Sequence, residues 1–299
     1  KRGKTLSING TFPKNRDFEK LIRAIGIVKQ VKSIIVRDHS VVDAKVFNAR
    51  GKIDEKTNLM DGDKKGSVLS NFIDHMNESL SMVSKKLTDD SEADLIEILG
   101  ELIGNAEDHS GSNDSHWQFY GYTDKNSKGE IYQQVTIFNF GNSIAQSMKK
   151  SMHKEVVSKR VRPYIDYHKA YVPEDILYTI QALQENVSSK LDEQIDRGQG
   201  FTDLLLFFED IARECSNGES NHIEMSIISG NVSIFFDGKY LPVKSTTYNR
   251  HLIYFNDSND PNKIPDSKYV KIAKDISFPG TIITIKYRLR EEDYENDEV

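Results

Sequence analysis

The sequence predicts an α/β protein, a two-layer sandwich in which a mixed, mainly antiparallel sheet carries helices on one face. Alternating apolar and polar residues predict strands at 116–122, 131–140, 222–229, 232–238 and 280–289. Apolar residues at helical spacing predict long helices, most clearly over 68–87 and 92–109. The turn-like segment 123–130 predicts that the first two strands form an antiparallel hairpin. Strands that alternate with long helices favour a layered sandwich.

The domain organisation follows from changes in this pattern. We expect a small N-terminal α/β unit over 1–60, in which residues 16–31 form a helix between two strands. Residues 49–67 lose periodicity and gather Gly, Asp and Lys, which predicts a linker. A larger domain follows over 66–290, with a long helical insertion at about 143–197. The acidic tail, 291–299, is expected to fray.

Composition excludes several functional classes. The net charge of −6 lacks the footprint of a dedicated nucleic-acid binder. Six basic residues within 148–162 favour a solvated helix, although a patch that faces phosphate or nucleic acid stays open. The single cysteine, Cys215, excludes a disulfide framework and a thiolate metal cluster, which predicts a reducing cytoplasmic location. The sequence shows neither an apolar run that spans a bilayer nor a secretory leader, so no membrane association is expected.

The helix predicted over 92–109 carries an acidic stripe. Ser91 and Asp94 predict its N-terminal capping box. A rotation of about 100° per residue places five polar side chains on one side, Asp94, Glu97, Glu101, Asn105 and Asp108, and an apolar set opposite, Leu95, Leu99, Leu102, Ile103 and Ala106. A solvated amphipathic helix explains this pattern. The stripe has no Lys or Arg at i+4, however, and Asn is a poor helix former. A bound cation is therefore the alternative explanation.

The segment "ELIGNAEDHS" resembles the N box of the GHKL superfamily of ATP-binding domains, whose fold is the Bergerat fold. This superfamily includes gyrase-type topoisomerases, MutL-type mismatch-repair ATPases, the large heat-shock chaperone and histidine kinases. Four further segments follow in the family's order and extend the resemblance over about residues 68–290. They are "NFGNS" in place of Asp-x-Gly-x-Gly, "RGQGF" in place of a Gly-x-Gly turn, a strand that ends in Ser-Gly, and a Gly-Thr strand.

The resemblance implies roles for individual residues. Asn105 would hold Mg²⁺, and Glu101 would orient and deprotonate the attacking water. Asp108 and His109 would lie at the edge of the cleft. Asn139 stands where the family has Asp, and its amide oxygen would accept the adenine amine, while Ser143 replaces the motif's second glycine. The remaining cofactor-binding positions are Gly141, Gly198, Gly200 and Thr281.

The implied function is a Mg²⁺-dependent ATP-binding and ATP-hydrolysing module, a nucleotide-driven switch that acts on a protein partner or as a homodimer. One alternative is a degenerate nucleotide sensor without turnover, because Asn139 and Ser143 alter the base pocket. A protein kinase of the histidine or anti-sigma-factor type is another. His75 precedes the N box on a helix, but the His-Glu-x-x-Thr-Pro pattern does not follow it. Glu101 favours the hydrolysing branch, because histidine kinases usually carry Asn there.

Overall fold

The computed structural model describes residues 44–52, 64–81, 83–109, 116–125, 130–189, 200–214, 223–274 and 277–297. The helix and strands predicted within the first 43 residues lie outside this part of the chain, as do Gly198 and Cys215. The described helices are α1 (Lys64–Ser81), α2 (Asp89–His109), α3 (Ile144–Ser151), α4 (Glu155–His168), α5 (Glu174–Ala182) and α6 (Gly200–Glu214).

The strands begin with β1 (Ala44–Lys52), β2 (Lys85–Leu87), β3 (His116–Lys125), β4 (Ile131–Phe140), β5 (Ile223–Gly230) and β6 (Val232–Phe236). They continue with β7 (Val243–Ser245), β8 (Arg250–Leu252), β9 (Val270–Ile272), β10 (Phe278–Arg288) and β11 (Tyr294–Asn296). Seven of them form one sheet in the order β1-β3-β4-β10-β5-β6-β9. Two small sheets pair β2 with β11 and β7 with β8.

The predicted α/β class, the β3–β4 hairpin and the antiparallel character of the sheet are confirmed. All described neighbours in the main sheet pair antiparallel, so the expected mixed sheet is antiparallel throughout its described strands. Two of the six pairings, β3–β4 and β5–β6, are hairpins, in which an antiparallel partner needs only a short turn. The other four join strands that other elements separate in the chain. The arrangement is compatible with an α/β sandwich.

One face of the sheet is buried against the helices. Residues on β4 alternate between buried and half-buried positions, and β5, β6 and β10 alternate in the same way. The cross-strand register aligns the buried side chains in rows, and one such row is Ile137, Ile283, Ile227 and Ile234. These isoleucines belong to one core cluster with the helix side chains Leu99, Leu102 and Ile103. Each such burial stabilises the fold by roughly 1.5–3 kcal/mol.

Helix α2 confirms the predicted sidedness but begins earlier than predicted. The five apolar positions are buried, whereas Asp94, Glu97 and Glu101 are exposed. The helix begins at Asp89 because Thr88 caps it: the Thr88 hydroxyl accepts a hydrogen bond from the Ser91 backbone N–H at 3.3 Å. Ser91 therefore lies in the first turn, and its prediction as the capping residue is wrong.

The linker predicted over 49–67 is wrong at both ends. Strand β1 continues to Lys52 and pairs with β3 along its whole length, and α1 already begins at Lys64. Strand β1 therefore belongs to the main sheet and not to a separate N-terminal unit. Backbone pairing at a sheet edge does not require apolar side chains, and polar residues are common on edge strands.

The acidic tail is ordered through Asp297 instead of frayed. Strand β11 pairs with β2, and the Lys86 ammonium lies 3.0 Å from the Glu295 carboxylate. One turn earlier, the Arg290 guanidinium binds the Asp293 carboxylate at 2.8 Å. Lys86 and Arg290 thus neutralise part of the negative charge of the tail, which was the reason to expect fraying.

The segment predicted as a helical insertion contains α3, α4 and α5, and α5 packs against β6 and β9. Among the described helices, none combines the length and the apolarity needed to cross a membrane.

Candidate functional site

A row of polar side chains interrupts the apolar inner face of the sheet. Asn139 on β4, Thr281 on β10 and Ser229 on β5 are aligned by the cross-strand register, and we call these three residues the polar row. They are only 2%, 9% and 1% exposed, respectively. The next two cross-strand rows of buried residues are apolar, and their members on β4 are Ile137 and Val135, respectively. Polar groups buried at this depth need hydrogen-bond partners or they destabilise the fold.

Hydrogen bonds satisfy most of the polar row. The Ser229 and Thr281 hydroxyls lie 2.7 Å apart, and the Ser229 Oγ accepts the Ile144 backbone N–H at 2.8 Å. The Thr281 backbone N–H donates to the Asn139 Oδ1 at 3.2 Å. The Asn139 Nδ2 is buried and has no hydrogen-bond partner among the described residues. One buried donor of the polar row therefore lacks a hydrogen-bond partner within the described part of the chain.

A β-bulge beside the row shapes this arrangement. The β10–β5 register shifts between Phe278 and Thr281, and Gly280 adopts a φ of +147°. A side chain at Gly280 would place its Cβ 1.9 Å from the Asn139 carbonyl oxygen, so only glycine fits. Nearby, the Gly141 N–H donates to the Pro279 carbonyl at 3.0 Å. Gly280 thus allows β4 and β10 to approach closely.

Ser143, which departs from the family pattern, has a structural role. Its hydroxyl accepts the Gln146 N–H at 3.2 Å, and the Gln146 Oε1 accepts the Ser143 N–H at 3.0 Å. This reciprocal pair is a capping box that begins α3. The Ser-x-x-Gln spacing was visible in the sequence and was overlooked. Helix capping thus accounts for the serine at position 143.

Helix α2 is fastened beside the polar row by a tryptophan. The Trp117 Nε1 donates to the Glu107 Oε1 at 3.2 Å, and Trp117 is the cross-strand neighbour of Asn139. Glu107 follows Asn105 by two residues, so the contact brings the C-terminal half of α2 to the level of the polar row. Asn105 is half-buried, and its Nδ2 is buried without a partner in the described residues.

Helix α6 packs against α2, and its described residues begin at Gly200, whereas Gly198 of the predicted Gly-x-Gly turn lies outside the described part of the chain. Asp203 in its first turn lies within electrostatic reach of the acidic stripe. Partial burial raises the pKa of the Asp203 carboxyl, and repulsion from Glu101, Glu97 and Glu185 raises it further. The neighbouring Thr202 is buried, and its hydroxyl has no partner in the described part of the chain.

The structure therefore brings several predicted site residues together. Asn139, Gly141 and Thr281 meet where β4 and β10 pair, and Asp203 in the first turn of α6 lies within electrostatic reach of Glu101. His109 is the last residue of α2, and Asp108 precedes it on the helix, with its side chain outside the described set. The sequence prediction missed Ser229, Asp203, Thr202 and the Trp117–Glu107 contact. Only Ser229 had a signal, because it ends a strand in the family's Ser-Gly.

A metal site built from protein groups alone is absent from the described residues, which hold no suitable cluster of three or more His, Cys, Asp or Glu. This does not conflict with Mg²⁺, which keeps several waters and is usually held by one or two protein ligands together with substrate phosphates. The half-buried Asn105 amide offers an oxygen of the type that this ion prefers.

The basic segment behaves as a solvated surface. The Lys149 Nζ lies 2.7 Å from Asp175, and the Lys159 Nζ lies 2.6 Å from Glu155, in exposed pairs. The Lys150 Nζ donates to the Asn142 Oδ1 at 2.8 Å.

His75 is only 8% exposed and packs on Phe72, which argues against its role as a phosphoacceptor.

No family model, curated protein or solved structure matches this chain.

The charge cluster around Asp203 predicts a pH-dependent change in stability. An acid whose folded-state pKa is raised destabilises the fold when ionised, so Asp203→Asn should increase the free energy of unfolding at neutral pH. We expect a gain of roughly a few tenths of a kcal/mol, because solvent screens a partly exposed group. The gain should disappear as the pH falls to the ordinary value of 3.8. Urea denaturation across this range measures it.

Asp210→Asn is the matched control, since Asp210 is exposed on the same helix. An equal gain in both variants would contradict the proposed cluster.

Proposed function

We propose that the chain is a Mg²⁺-dependent nucleotide-binding module of the GHKL type with a Bergerat-type fold, for which ATP is the ligand that the resemblance implies. The observation that carries the proposal is the polar row, which interrupts an apolar sheet face where the resemblance places the base. Two of its three members, Asn139 and Thr281, come from motifs 142 residues apart in the chain. An unpaired buried donor at this position supports a ligand more than it supports a core contact.

The phosphate end of the proposed site is the start of α6. Backbone N–H groups in the first turn of a helix have no partners within the helix and attract anions. Gly200 would let the backbone approach closely, and the Thr202 hydroxyl, which has no partner within the described ranges, is a further donor in the same turn. The nearby carboxylates of Asp203 and Glu101 would repel a bare triphosphate. A cation between them and the phosphates removes that repulsion, which is why we include Mg²⁺ in the proposal.

Asn105 and Glu101 divide the chemistry along one face of α2. We assign Asn105 as the protein ligand of the metal, which when bound offsets phosphate charge and polarises the triphosphate. Glu101 lies one helical turn earlier and is exposed, so its carboxylate has access to water. Glu101 takes the proton of the attacking water as the water adds to the terminal phosphorus and ADP leaves.

The proposed switch uses the hydrogen bond from Ile144 to Ser229. Through this bond the first turn of α3 is tied to the polar row. A ligand that reorders the row would therefore act directly on α3, which packs against α5. We propose that this helical segment transmits the nucleotide state to a protein partner or to a second copy of the chain.

The metal assignment is tested by calorimetric titration of ATP. Wild-type protein should bind ATP with Mg²⁺ and more weakly with excess EDTA. Asn105→Ala should remove most of this Mg²⁺ dependence while leaving metal-free binding unchanged, because it deletes only the metal ligand. The absence of heat at millimolar ATP would refute ATP as the ligand, and an unchanged Mg²⁺ dependence would refute Asn105 as the metal ligand.

The hydrolysis assignment is tested by phosphate release. Glu101→Ala should reduce turnover roughly 10²–10⁴-fold while ATP affinity is preserved, because a positioned base contributes a factor of this size. Glu97→Ala, exposed one turn earlier on the same stripe, is the control and should retain most of the activity. Phosphate release that survives in Glu101→Ala contradicts the assignment. Wild-type protein that binds ATP without releasing phosphate would instead be the nucleotide sensor.

A further inference from the structure

The orientation of the Asn139 amide is fixed by its neighbour. The Thr281 backbone N–H is a donor that cannot change its role, and it lies 3.2 Å from the Asn139 Oδ1. A flipped amide would turn its own N–H₂ group towards this N–H, and two donors would face each other. The oxygen therefore stays on the Thr281 side, and the group left for a ligand is the amide nitrogen, a donor.

The rest of the polar row is already engaged. The Ser229 hydroxyl bonds the Thr281 hydroxyl, accepts the Ile144 N–H and reaches the Gly280 carbonyl at 3.4 Å. Among the polar atoms of the row, only the Asn139 Nδ2 is buried without a partner in the described residues, and Asn139 is 2% exposed. An amide N–H₂ group buried without a partner is costly, so a ligand with a hydrogen-bond acceptor is favoured here.

This differs from the expectation that the Asn139 oxygen accepts the adenine amine. Adenine presents an amino donor at the 6-position of the purine, whereas guanine and hypoxanthine present a carbonyl acceptor there. An adenine amine facing the Asn139 Nδ2 would oppose two donors and leave both unpaired. A 6-carbonyl accepts the amide N–H instead.

We infer that the base site of this protein selects a 6-oxopurine nucleotide over an adenine nucleotide, with the Asn139 Nδ2 donating to the 6-carbonyl oxygen. The inference rests on the proposed function, since it requires a nucleotide with its base at the polar row. It concerns only the base, and the roles of Asn105, Glu101 and α6 towards metal and phosphates are unchanged.

The test compares ATP with inosine triphosphate, which share the ribose and triphosphate and differ at the purine 6-position and in the protonation of N1. With Mg²⁺ present, wild-type protein should bind inosine triphosphate about tenfold more tightly than ATP, the size expected for one buried hydrogen bond against an unpaired donor. Guanosine triphosphate, with the same 6-carbonyl, should also bind more tightly than ATP.

Asn139→Asp should reverse the preference. Its carboxylate would accept the Thr281 N–H with one oxygen and offer the other to the adenine amine, so ATP affinity should rise and inosine triphosphate affinity should fall. Asn142→Asp is the matched control, because it adds the same charge three residues later, where the side chain bonds Lys150 at the surface. The control should keep the wild-type ratio of the two affinities.

The possible outcomes separate the two claims. ATP binding at least as tight as inosine triphosphate binding in wild-type protein overturns the base inference and leaves the proposed nucleotide site intact. Failure of all three triphosphates to bind overturns both. Should the buried carboxylate of Asn139→Asp prevent folding, the wild-type comparison alone decides the matter.

Discussion

Hydrogen bonding within the polar row is the constraint on which the surrounding structure depends. Asn139, Thr281 and Ser229 are buried beside apolar rows on the inner face of the sheet, so each unpaired polar atom there carries a free-energy cost of roughly 1–3 kcal/mol. The β-bulge at Gly280 lies directly beside Thr281, whose backbone N–H donates to the Asn139 side chain. The start of α3 satisfies Ser229. The bulge at Gly280 and the start of α3, which are far apart in the sequence, therefore both belong to the hydrogen-bond network of the polar row.

The same reasoning connects α2 and α6 to the row. Trp117 fills the core beside Asn139 and uses its only polar atom to hold Glu107, which fixes how α2 sits on the sheet. That placement brings Glu101 and Glu97 near Asp203 on α6, an arrangement that raises the pKa of Asp203 through repulsion as well as burial. The two helices thus bring the carboxylates of Glu97, Glu101 and Asp203 together beside the first turn of α6.

Periodicity predicted the elements whose packing is dictated by their own side chains. The two faces of α2 and the β3–β4 hairpin follow from the spacing of apolar residues within each element. Residues such as Leu99 and Val135 are buried because this spacing places them on one face of the helix or strand. Strands β1 and β11 were not predicted, because each is stabilised by backbone pairing with a strand that is distant in the chain. Their sequences lack the regular alternation of apolar and polar residues that predicts a strand. The start of α2 was misplaced by three residues because both Thr88 and Ser91 are good capping residues.

The candidate site divides in the same way. The motif spacing indicated Asn139 and Thr281 separately, and the structure adds that they touch. The direction of the Asn139 amide was not predictable from the sequence, because it depends on which backbone group of β10 faces it across the sheet. That direction converts an expected acceptor for adenine into a donor.

A crystal structure with Mg²⁺ and a non-hydrolysable purine triphosphate tests the central claim most directly, namely that a nucleotide binds at the polar row. The account predicts the base edge within about 3 Å of the Asn139 Nδ2, the metal on Asn105 and the phosphates at the first turn of α6. A nucleotide bound elsewhere on the molecule, with the polar row filled by protein side chains, would contradict it.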